Sequence, residues 1–305
     1  MPETKVDLML TYECNNSCIF CYAAEKRGKV KALTIAEAKA KMHEGLERGA
    51  TIIDFNGGEP TTFDGIISLV AYAKKLGFRQ IAVTTNGQMF SYFDFTKKMI
   101  EAGLNHAVIS IHGHNADLHD MHTMVKGSFE RLKKGINNLR KLKPDFYICS
   151  NTAITKFNYK YLPEIAKNNI VNLKLNALEF IFPHPRGNAW KYFDIIVPTL
   201  KEIAPYISPT IEIGKKHKID HIYFRYIPLC YMLGYQNYLS ELVEKSFMKE
   251  QHVGPEFEDL CVEEGRVNFG KIKGHQCKAC KYDKVCEGVW KEYAEKRGTD
   301  ELIPV

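Results

Sequence analysis

Short apolar segments alternate with amphipathic ones along the first two thirds of the chain. The apolar segments have the length and composition of buried strands, which predicts β-strands at 6–12, 51–56, 80–85, 106–111, 146–152 and 171–178. Between them, apolar residues recur at helical spacing, which predicts helices at 34–48, 65–76, 92–102, 128–142 and 162–168. This alternation is typical of βαβ units around a parallel sheet.

Local signals support the helix boundaries. Thr34 and Glu37 have the spacing of a capping box, and Gly49 follows the last periodic residue of the first helix as a stop. In the segment 128–142 four apolar residues fall on one face: Phe129, Leu132, Ile136 and Leu139. These helices are therefore expected to pack with one face against the sheet.

The repeats predict an α/β fold, a partial (β/α)6 TIM-like barrel with a small C-terminal cysteine-rich domain that binds a cluster. We expect the barrel to span residues 1–212 and the cluster-binding domain to span 213–305. The chemistry-bearing motifs follow predicted strands. Their side chains should therefore meet at the C-terminal ends of the strands, where barrel enzymes have their active sites.

Composition excludes several classes of protein. The chain has 305 residues, of which 45% are hydrophobic and 26% charged, so it can form one large domain and a small one. No apolar run approaches the ~20 residues of a membrane span, and we expect no membrane partner. The net charge of +6 is spread along the chain without the basic, aromatic stripe that nucleic-acid binding requires, which argues against a tRNA-modifying enzyme.

Three of the nine cysteines fall close together, at Cys14, Cys18 and Cys21. Disulfides are disfavoured because the number of cysteines is odd and the chain does not start with the charged and then apolar residues of a secretion leader. Tetrahedral zinc would need a fourth ligand, which is absent nearby although a distant one could fold in. The spacing favours an iron–sulfur site that is one thiolate short of the usual four, so that one iron is free to bind a ligand that is not protein.

Further motifs follow the second, third and fourth predicted strands: Gly57-Gly58-Glu59-Pro60, Asn86-Gly87 and His112-Gly113. Two glycines at a strand end let the backbone approach a ligand closely. Together with the cysteine run and in this order, the motifs resemble those of the radical S-adenosylmethionine (radical SAM) enzymes. The resemblance covers roughly residues 5–190.

The resemblance implies roles for individual residues. Cys14, Cys18 and Cys21 would be the catalytic cysteines, holding a [4Fe–4S] cluster whose fourth iron chelates SAM. Reduction would cleave SAM to a 5′-deoxyadenosyl radical, which takes hydrogen from a substrate. The remaining positions would bind SAM: Gly57, Gly58 and Glu59 at the amino group, Ser110, His112 and Asn151 at the ribose or methionine part, and Tyr22 near the adenine.

A second cysteine group, Cys277, Cys280 and Cys286, lies near the C-terminus. A zinc-ribbon-like structure is one interpretation. The run also resembles the SPASM and twitch extensions of radical SAM enzymes, which carry auxiliary [4Fe–4S] clusters. The full SPASM pattern has a further cysteine where this chain has Trp290, so we expect one auxiliary cluster. Its fourth ligand would be Cys230 or Cys261, or the position would stay open for substrate.

The resemblance implies an oxidoreductase or maturase-type enzyme whose substrate is a peptide or protein being matured. Oxidation or rearrangement of a small molecule in cofactor or natural-product biosynthesis is the alternative. Thiolate-bound clusters imply a reducing cytoplasm and an electron donor such as flavodoxin or ferredoxin. A non-catalytic iron–sulfur electron carrier is a weaker alternative, because it has no use for the glycine-exposed backbone at Gly57 and Gly58.

Overall fold

The computed structural model describes residues 2–219, 221–244 and 248–305. Its main sheet has the strand order β7-β6-β5-β4-β3-β2-β1-β8-β9, with every neighbouring pair parallel except β8 and β9. The strands are β1 (Glu3–Thr11), β2 (Ala50–Gly57), β3 (Gln80–Thr85), β4 (His106–Ser110), β5 (Tyr147–Ala153), β6 (Ala177–Ile181), β7 (His221–Arg225), β8 (Met248–Val253) and β9 (Glu258–Asp259).

Helices connect the strands and cover the outside of the sheet. They are α1 (Ile35–Glu47), α2 (Ile66–Leu76), α3 (Phe93–Ala102), α4 (Ala116–Thr123), α5 (Ser128–Leu142), α6 (Leu162–Lys167), α7 (Asn188–Lys191), α8 (Phe193–Ile196), α9 (Leu200–Lys216), α10 (Ser240–Glu244), α11 (Val262–Gly265) and α12 (Lys291–Arg297). A two-stranded antiparallel sheet, β10 (Lys271–Ile272) and β11 (Val289–Trp290), lies in the cysteine-rich part of the chain.

The predicted helix signals are confirmed. The Thr34 side chain accepts from the Glu37 N–H while the Glu37 carboxylate accepts from the Thr34 N–H, a complete capping box at the start of α1. In α5 all four residues of the predicted apolar face are buried: Phe129, Leu132, Ile136 and Leu139. Local sequence alone therefore defines these two helices.

Two differences concern the later strands. The sixth strand was predicted at 171–178, but Asn168–Asn172 forms a π-helical turn after α6, and β6 begins only at Ala177. The apolar residues Leu173 and Leu175 are buried in the core rather than paired in the sheet. The predicted domain boundary at residue 212 falls inside α9, and β7 and β8 beyond it join the barrel sheet.

The sheet curves enough to bring side chains from its two ends into contact. β7 and β8 stand at opposite ends of the parallel strand order, yet the Arg225 guanidinium lies 3.7 Å from the Glu250 carboxylate. Alternation along β1 separates the faces: Val6 and Leu8 pack into the main core under the helices, whereas Lys5 and Asp7 point inward. The barrel therefore has an apolar outer wall and a charged interior.

None of the described helices is both long and apolar enough to cross a lipid bilayer.

Candidate functional site

The Gly57-Gly58-Glu59-Pro60 turn packs against the start of the cysteine loop. The Gly58 N–H donates to the Thr11 carbonyl at 2.6 Å, and the Glu59 N–H donates to the Glu13 carbonyl at 2.8 Å. Gly57 has a φ of 137°, which favours glycine, and a Cβ at Gly57 or Gly58 would collide with these same carbonyl oxygens. Two motifs that are far apart in sequence therefore meet where β1 and β2 end.

Glu59 connects this turn to the end of β3. Its buried carboxylate accepts hydrogen bonds from the Thr85 hydroxyl at 2.6 Å and from the N–H groups of Asn86 and Thr61 at 2.7 and 3.0 Å. Burial raises the pKa of Glu59, and the hydrogen bonds oppose that increase. Protein donors therefore fix the carboxylate and hold the second and third motifs together.

Two asparagines inside the cysteine loop add a second connection. The Asn86 amide donates to the Asn15 side-chain oxygen at 2.6 Å, and the Gln88 amide donates to the Asn16 side-chain oxygen at 2.5 Å. The Arg131 guanidinium in turn donates to Gln88 at 2.6 Å. The cysteine loop is thus linked by side chains to the turn that follows β3 and to α5.

On its other side, the cysteine loop is held by the end of α4. The N–H groups of Ser17 and Ile19 donate to the carbonyls of Thr123 and His122, each at 3.0 Å. These backbone contacts fix the middle of the loop, between its first and last cysteine.

Three histidines are buried behind the loop: His112, His119 and His122. The His112 ring packs edge-on against Phe20 of the cysteine loop, with centroids 4.7 Å apart, and its Nδ1 accepts from the Ala153 N–H at 3.3 Å. Burial lowers the pKa of all three, to about 3 for His119 and about 4 for His122. They are neutral near pH 7 and support the loop from behind.

The thiols of Cys14, Cys18 and Cys21 lie near one another. Burial raises the pKa of each, to about 11 for Cys14, and the neighbouring thiols add to the increase for Cys14 and Cys18. The positive charge of Arg27 opposes the increase at all three. The loop therefore gathers three thiols around one cation.

Ser110 and Asn151, two other predicted SAM-binding positions, are in register at the end of β4 and within β5. Tyr22 keeps 49% of its surface accessible, yet burial raises its pKa, with smaller contributions from Tyr12, Cys21 and Asp7.

A loop after β6 closes over the last cysteine. The Asn188 N–H donates to the Cys21 carbonyl at 2.9 Å, and its side-chain amide donates to the Cys18 carbonyl at 3.0 Å. A Cβ at Gly187 would collide with the carbonyl oxygens of Cys21 and Tyr22, at the end of the cysteine loop. Arg186 of the same loop pairs with Glu292 of α12 at 2.7 Å, which ties the barrel to the C-terminal helix.

A second site forms in the C-terminal part of the chain. A small cavity in this part of the chain has four cysteines in its lining: Cys230, Cys277, Cys280 and Cys286. The N–H groups of Leu229 and Val305 point at the sulfurs of Cys286 and Cys280, each at 3.5 Å. Cys261 does not line this cavity and is exposed at the start of α11.

Trp290 stands where the full SPASM pattern has a cysteine. Its indole is buried and stacks on the His184 ring, with centroids 3.9 Å apart and an angle of 4°. The Lys271 ammonium lies 4.1 Å from the indole ring. Aromatic packing therefore fills this position.

Comparison with known proteins identifies the family. A model of the radical SAM superfamily matches residues 8–168, the segment that contains the cysteine loop, the glycine turn and the first five strands. The chain belongs to the radical SAM superfamily. The predicted family and the predicted enzymatic character are confirmed.

Two curated relatives are enzymes of different chemistry. The AdoMet-dependent heme synthase of Methanosarcina barkeri is 33% identical over 184 residues, which cover 59% of this chain and 51% of the relative. The probable GTP 3′,8-cyclase of Sulfurisphaera tokodaii is 27% identical over 238 residues, 75% of this chain and 72% of the relative. The match to this chain thus spans about half the length of the heme synthase.

Solved structures confirm the fold of the whole chain. Streptococcus suis SuiB bound to S-adenosylmethionine superposes with a TM-score of 0.70 at 15% identity, covering 99% of this chain and 76% of SuiB. The anSMEcpe enzyme with bound AdoMet and a peptide gives 0.64 at 14% identity, covering 99% and 92%. The partial TIM-like barrel predicted from the sequence is therefore the fold.

The cysteine loop fits the family's cofactors, a [4Fe–4S] cluster and SAM. The loop supplies three thiols and a nearby cation, and the glycine turn packs directly against it. The C-terminal cysteine cavity likewise fits one auxiliary cluster.

Several residues of this site were not predicted from the sequence. Asn15 and Asn16 lie between the first two cysteines, and this position within the motif could have marked them as site residues. Arg27 acts through a tertiary contact, and Gln88 follows the Asn86-Gly87 turn by one residue. For Arg27 no local pattern in the sequence marks the role.

Proposed function

We propose that this chain is a radical SAM oxidoreductase that removes a hydrogen atom from a substrate held inside the barrel. Cys14, Cys18 and Cys21 hold the SAM-binding cluster. When bound, the reduced cluster and SAM supply the 5′-deoxyadenosyl radical. The observation that carries the proposal is the backbone pairing of Gly58 and Glu59 with Thr11 and Glu13, because it brings the glycine turn against the loop that carries the three cysteines.

The chain's own residues bind and orient SAM. The backbone of Gly57 and Gly58 contacts the methionine amino group, and Glu59, fixed by its donors, sets the position of that backbone. Ser110 and Asn151 face the ribose or methionine part, and Tyr22 faces the adenine. His112 is buried behind Phe20, and we assign it the role of supporting the loop next to the bound ligand.

Cys230, Cys277, Cys280 and Cys286 hold one auxiliary [4Fe–4S] cluster, and Cys261 takes no part. Their common cavity supports this assignment, and the N–H groups directed at two of the sulfurs favour thiolates there. An external donor of the flavodoxin or ferredoxin type supplies electrons.

A peptide or protein undergoing maturation is the proposed substrate. SuiB with its precursor peptide SuiA and anSMEcpe with a peptide are enzymes of the same fold. The inward cations are already paired, Lys5 with Asp7 and Glu250 and Arg225 with Glu179 and Glu250, which disfavours a polyanion such as GTP. The sequence similarity to the heme synthase and the GTP cyclase supports a small molecule as the second candidate.

Anaerobic turnover tests the reaction class. The chain reconstituted with iron and sulfide should form 5′-deoxyadenosine from SAM and dithionite, measured by mass spectrometry, and a Cys18→Ala variant should form none. A Cys261→Ala variant is the matched control, because it removes a thiol outside both sites and should keep the activity. Absence of 5′-deoxyadenosine from the wild-type chain with both clusters in place, alone and with each substrate probe, would sink the proposal.

Substrate probes separate the two substrate classes. GTP and iron-coproporphyrin III are added to the same assay, and neither should raise the rate of 5′-deoxyadenosine formation. A severalfold increase with either compound would favour the small-molecule class.

A further inference from the structure

A row of ionisable side chains crosses the inner face of the barrel. His252 of β8 is paired in register with Asp7 of β1, and Asp7 with Asp54 of β2. Their sequence neighbours Val6, Leu8 and Val253 pack into the outer core, so the three ionisable side chains point inward. This row has no part in the proposed binding of SAM.

The row contains a histidine held by a carboxylate. His252 Nε2 lies 3.0 Å from Asp7 Oδ2, and Lys5 Nζ lies 3.2 Å from Asp7 Oδ1. Burial tends to lower the pKa of His252, but the hydrogen bond and charge of Asp7, with Glu250, leave that pKa raised. Burial likewise tends to raise the pKa of Asp7, but Lys5 and His252 leave it lowered.

Access differs along the row. The His252 side chain keeps 38% of its surface accessible, whereas Asp7 keeps 9%. Asp54 is buried behind them, and its Oδ1 has no hydrogen-bond partner among the described residues. With Nε2 turned to Asp7, the neutral ring presents Nδ1 as an acceptor. His252 is thus the member of the row that a molecule inside the barrel can reach.

The row lies directly inward of the cysteine loop. Met9, the next inward residue on β1 after Asp7, packs in a small cluster with Cys21. Tyr22, which follows Cys21, is close enough to Asp7 that the carboxylate contributes to raising the tyrosine pKa. Asp7, the partner of His252, therefore lies close to the end of the cysteine loop.

We propose that His252, positioned by Asp7, is the proton acceptor for the substrate inside the barrel, an inference that rests on the proposed function. In this step an acidic X–H bond of the substrate breaks, its electron pair stays on X, and the proton forms an N–H bond at Nδ1. The imidazolium then donates from Nε2 to the Asp7 carboxylate, which stabilises it. A base in contact with its reactant and oriented by a third group is the usual arrangement for such transfers.

Other charges face the pair. Lys5 on β1, Glu250 on β8 and Arg225 on β7 form ion pairs around it, Asp54 lies on β2, and Asp259 of β9 is the register partner of His252. Two of these groups, Lys5 and Arg225, oppose protonation of the imidazole, and the carboxylates favour it. Asp7 is the carboxylate in direct contact, so its removal should have the largest effect.

Histidine C2 hydrogen exchange, followed by mass spectrometry on the reconstituted full chain between pH 5 and 9, reads the accessibility and the pKa of each imidazole. In the wild type, His252 should exchange measurably, with a pKa above its ordinary value. Asp7→Asn should weaken proton binding by His252 about tenfold, and Asp7→Glu should restore part of the loss. Exposed His217 should exchange at the same rate in all variants, and buried His112 should exchange slowly in all.

Exchange at His252 as slow as at His112, or a His252 pKa that does not respond to Asp7→Asn, would overturn the proposal. The exchange measured in the wild type tests the proposal even if Asp7→Asn fails to fold. His252→Gln should form less product per 5′-deoxyadenosine than wild type, and an unchanged ratio would also overturn the proposal. Lack of 5′-deoxyadenosine in the wild type would instead count against the proposed function and leave the exchange result intact.

Discussion

Arg27 is the positive charge that all three thiols of the N-terminal loop share. Burial raises the pKa of each thiol, and the Arg27 charge opposes the increase. Thiolate is the form that binds iron, so this charge favours iron binding. Replacing Arg27 by Gln should weaken iron retention about tenfold, since a charge near a partly buried group contributes about 1 kcal/mol or more.

Iron retained against increasing chelator concentration measures the effect of Arg27. Lys29→Gln removes the same charge from an exposed position of the same loop and should leave iron retention unchanged. Arg27→Lys should lie between wild type and Arg27→Gln. Equal retention in Arg27→Gln and Lys29→Gln would contradict the assigned role.

At the scale of single residues, sequence reasoning identified groups that belong to contiguous motifs. Cys14 and Gly58 were found because their neighbours along the chain repeat a known pattern. Arg27 was missed because it reaches the thiols by tertiary contact. Glu59 was found. Two of its four protein donors come from nearby Thr61, whereas the donors of Thr85 and Asn86 follow from the approach of β3, which no local pattern encodes.

At the scale of elements, Asp54 gives the inner face of β2 a pH-dependent stability. Burial, with the Asp7 charge, raises the pKa of Asp54 from 3.8 to about 7. The unfolded chain therefore releases this proton at lower pH than the folded chain, and stability falls as pH rises from about 4 to 7. The free energy of unfolding of Asp54→Asn should therefore rise, relative to that of the wild type, by roughly 2 to 3 kcal/mol when the pH is raised from 5 to 8.

Urea unfolding at these two pH values tests the Asp54 prediction. Asp64→Asn, an exposed change of the same type, should show no such gain. If the free energies of unfolding of Asp54→Asn and wild type differ by the same amount at pH 5 and pH 8, the carboxyl does not titrate in this range and the argument fails.

Elements with strong local signals were predicted well, and those defined by tertiary context were not. α1 has a complete capping box and α5 a continuous apolar face, and both have the predicted positions. The run that precedes β6 has alternating apolar residues, yet it forms a π-helical turn because Leu173 and Leu175 find burial without strand pairing. Alternating apolar residues predict that a segment is buried. Whether the segment also forms a strand depends on a neighbouring strand with which it can pair.

At the scale of the whole molecule, the barrel and the cysteine-rich part are joined more closely than the sequence predicted. β7 and β8 both follow residue 212 and complete the sheet. Glu292 of α12 also contacts two residues of the loop after β6, His184 at 3.2 Å and Arg186 at 2.7 Å. Strands of this length carry little local information about which sheet they join, so the boundary could not be read from the sequence.

The same long-range packing decides between the two candidates for the fourth auxiliary ligand. Cys230 lines the cavity with Cys277, Cys280 and Cys286, whereas Cys261 is exposed elsewhere. Cys230→Ser should therefore lower total iron by about four atoms per chain, and it should destabilise the C-terminal part, because metal binding there contributes folding energy. Cys261→Ser should retain all iron. Iron quantification with limited proteolysis measures both effects, and iron loss in Cys261→Ser with none in Cys230→Ser would reverse the assignment.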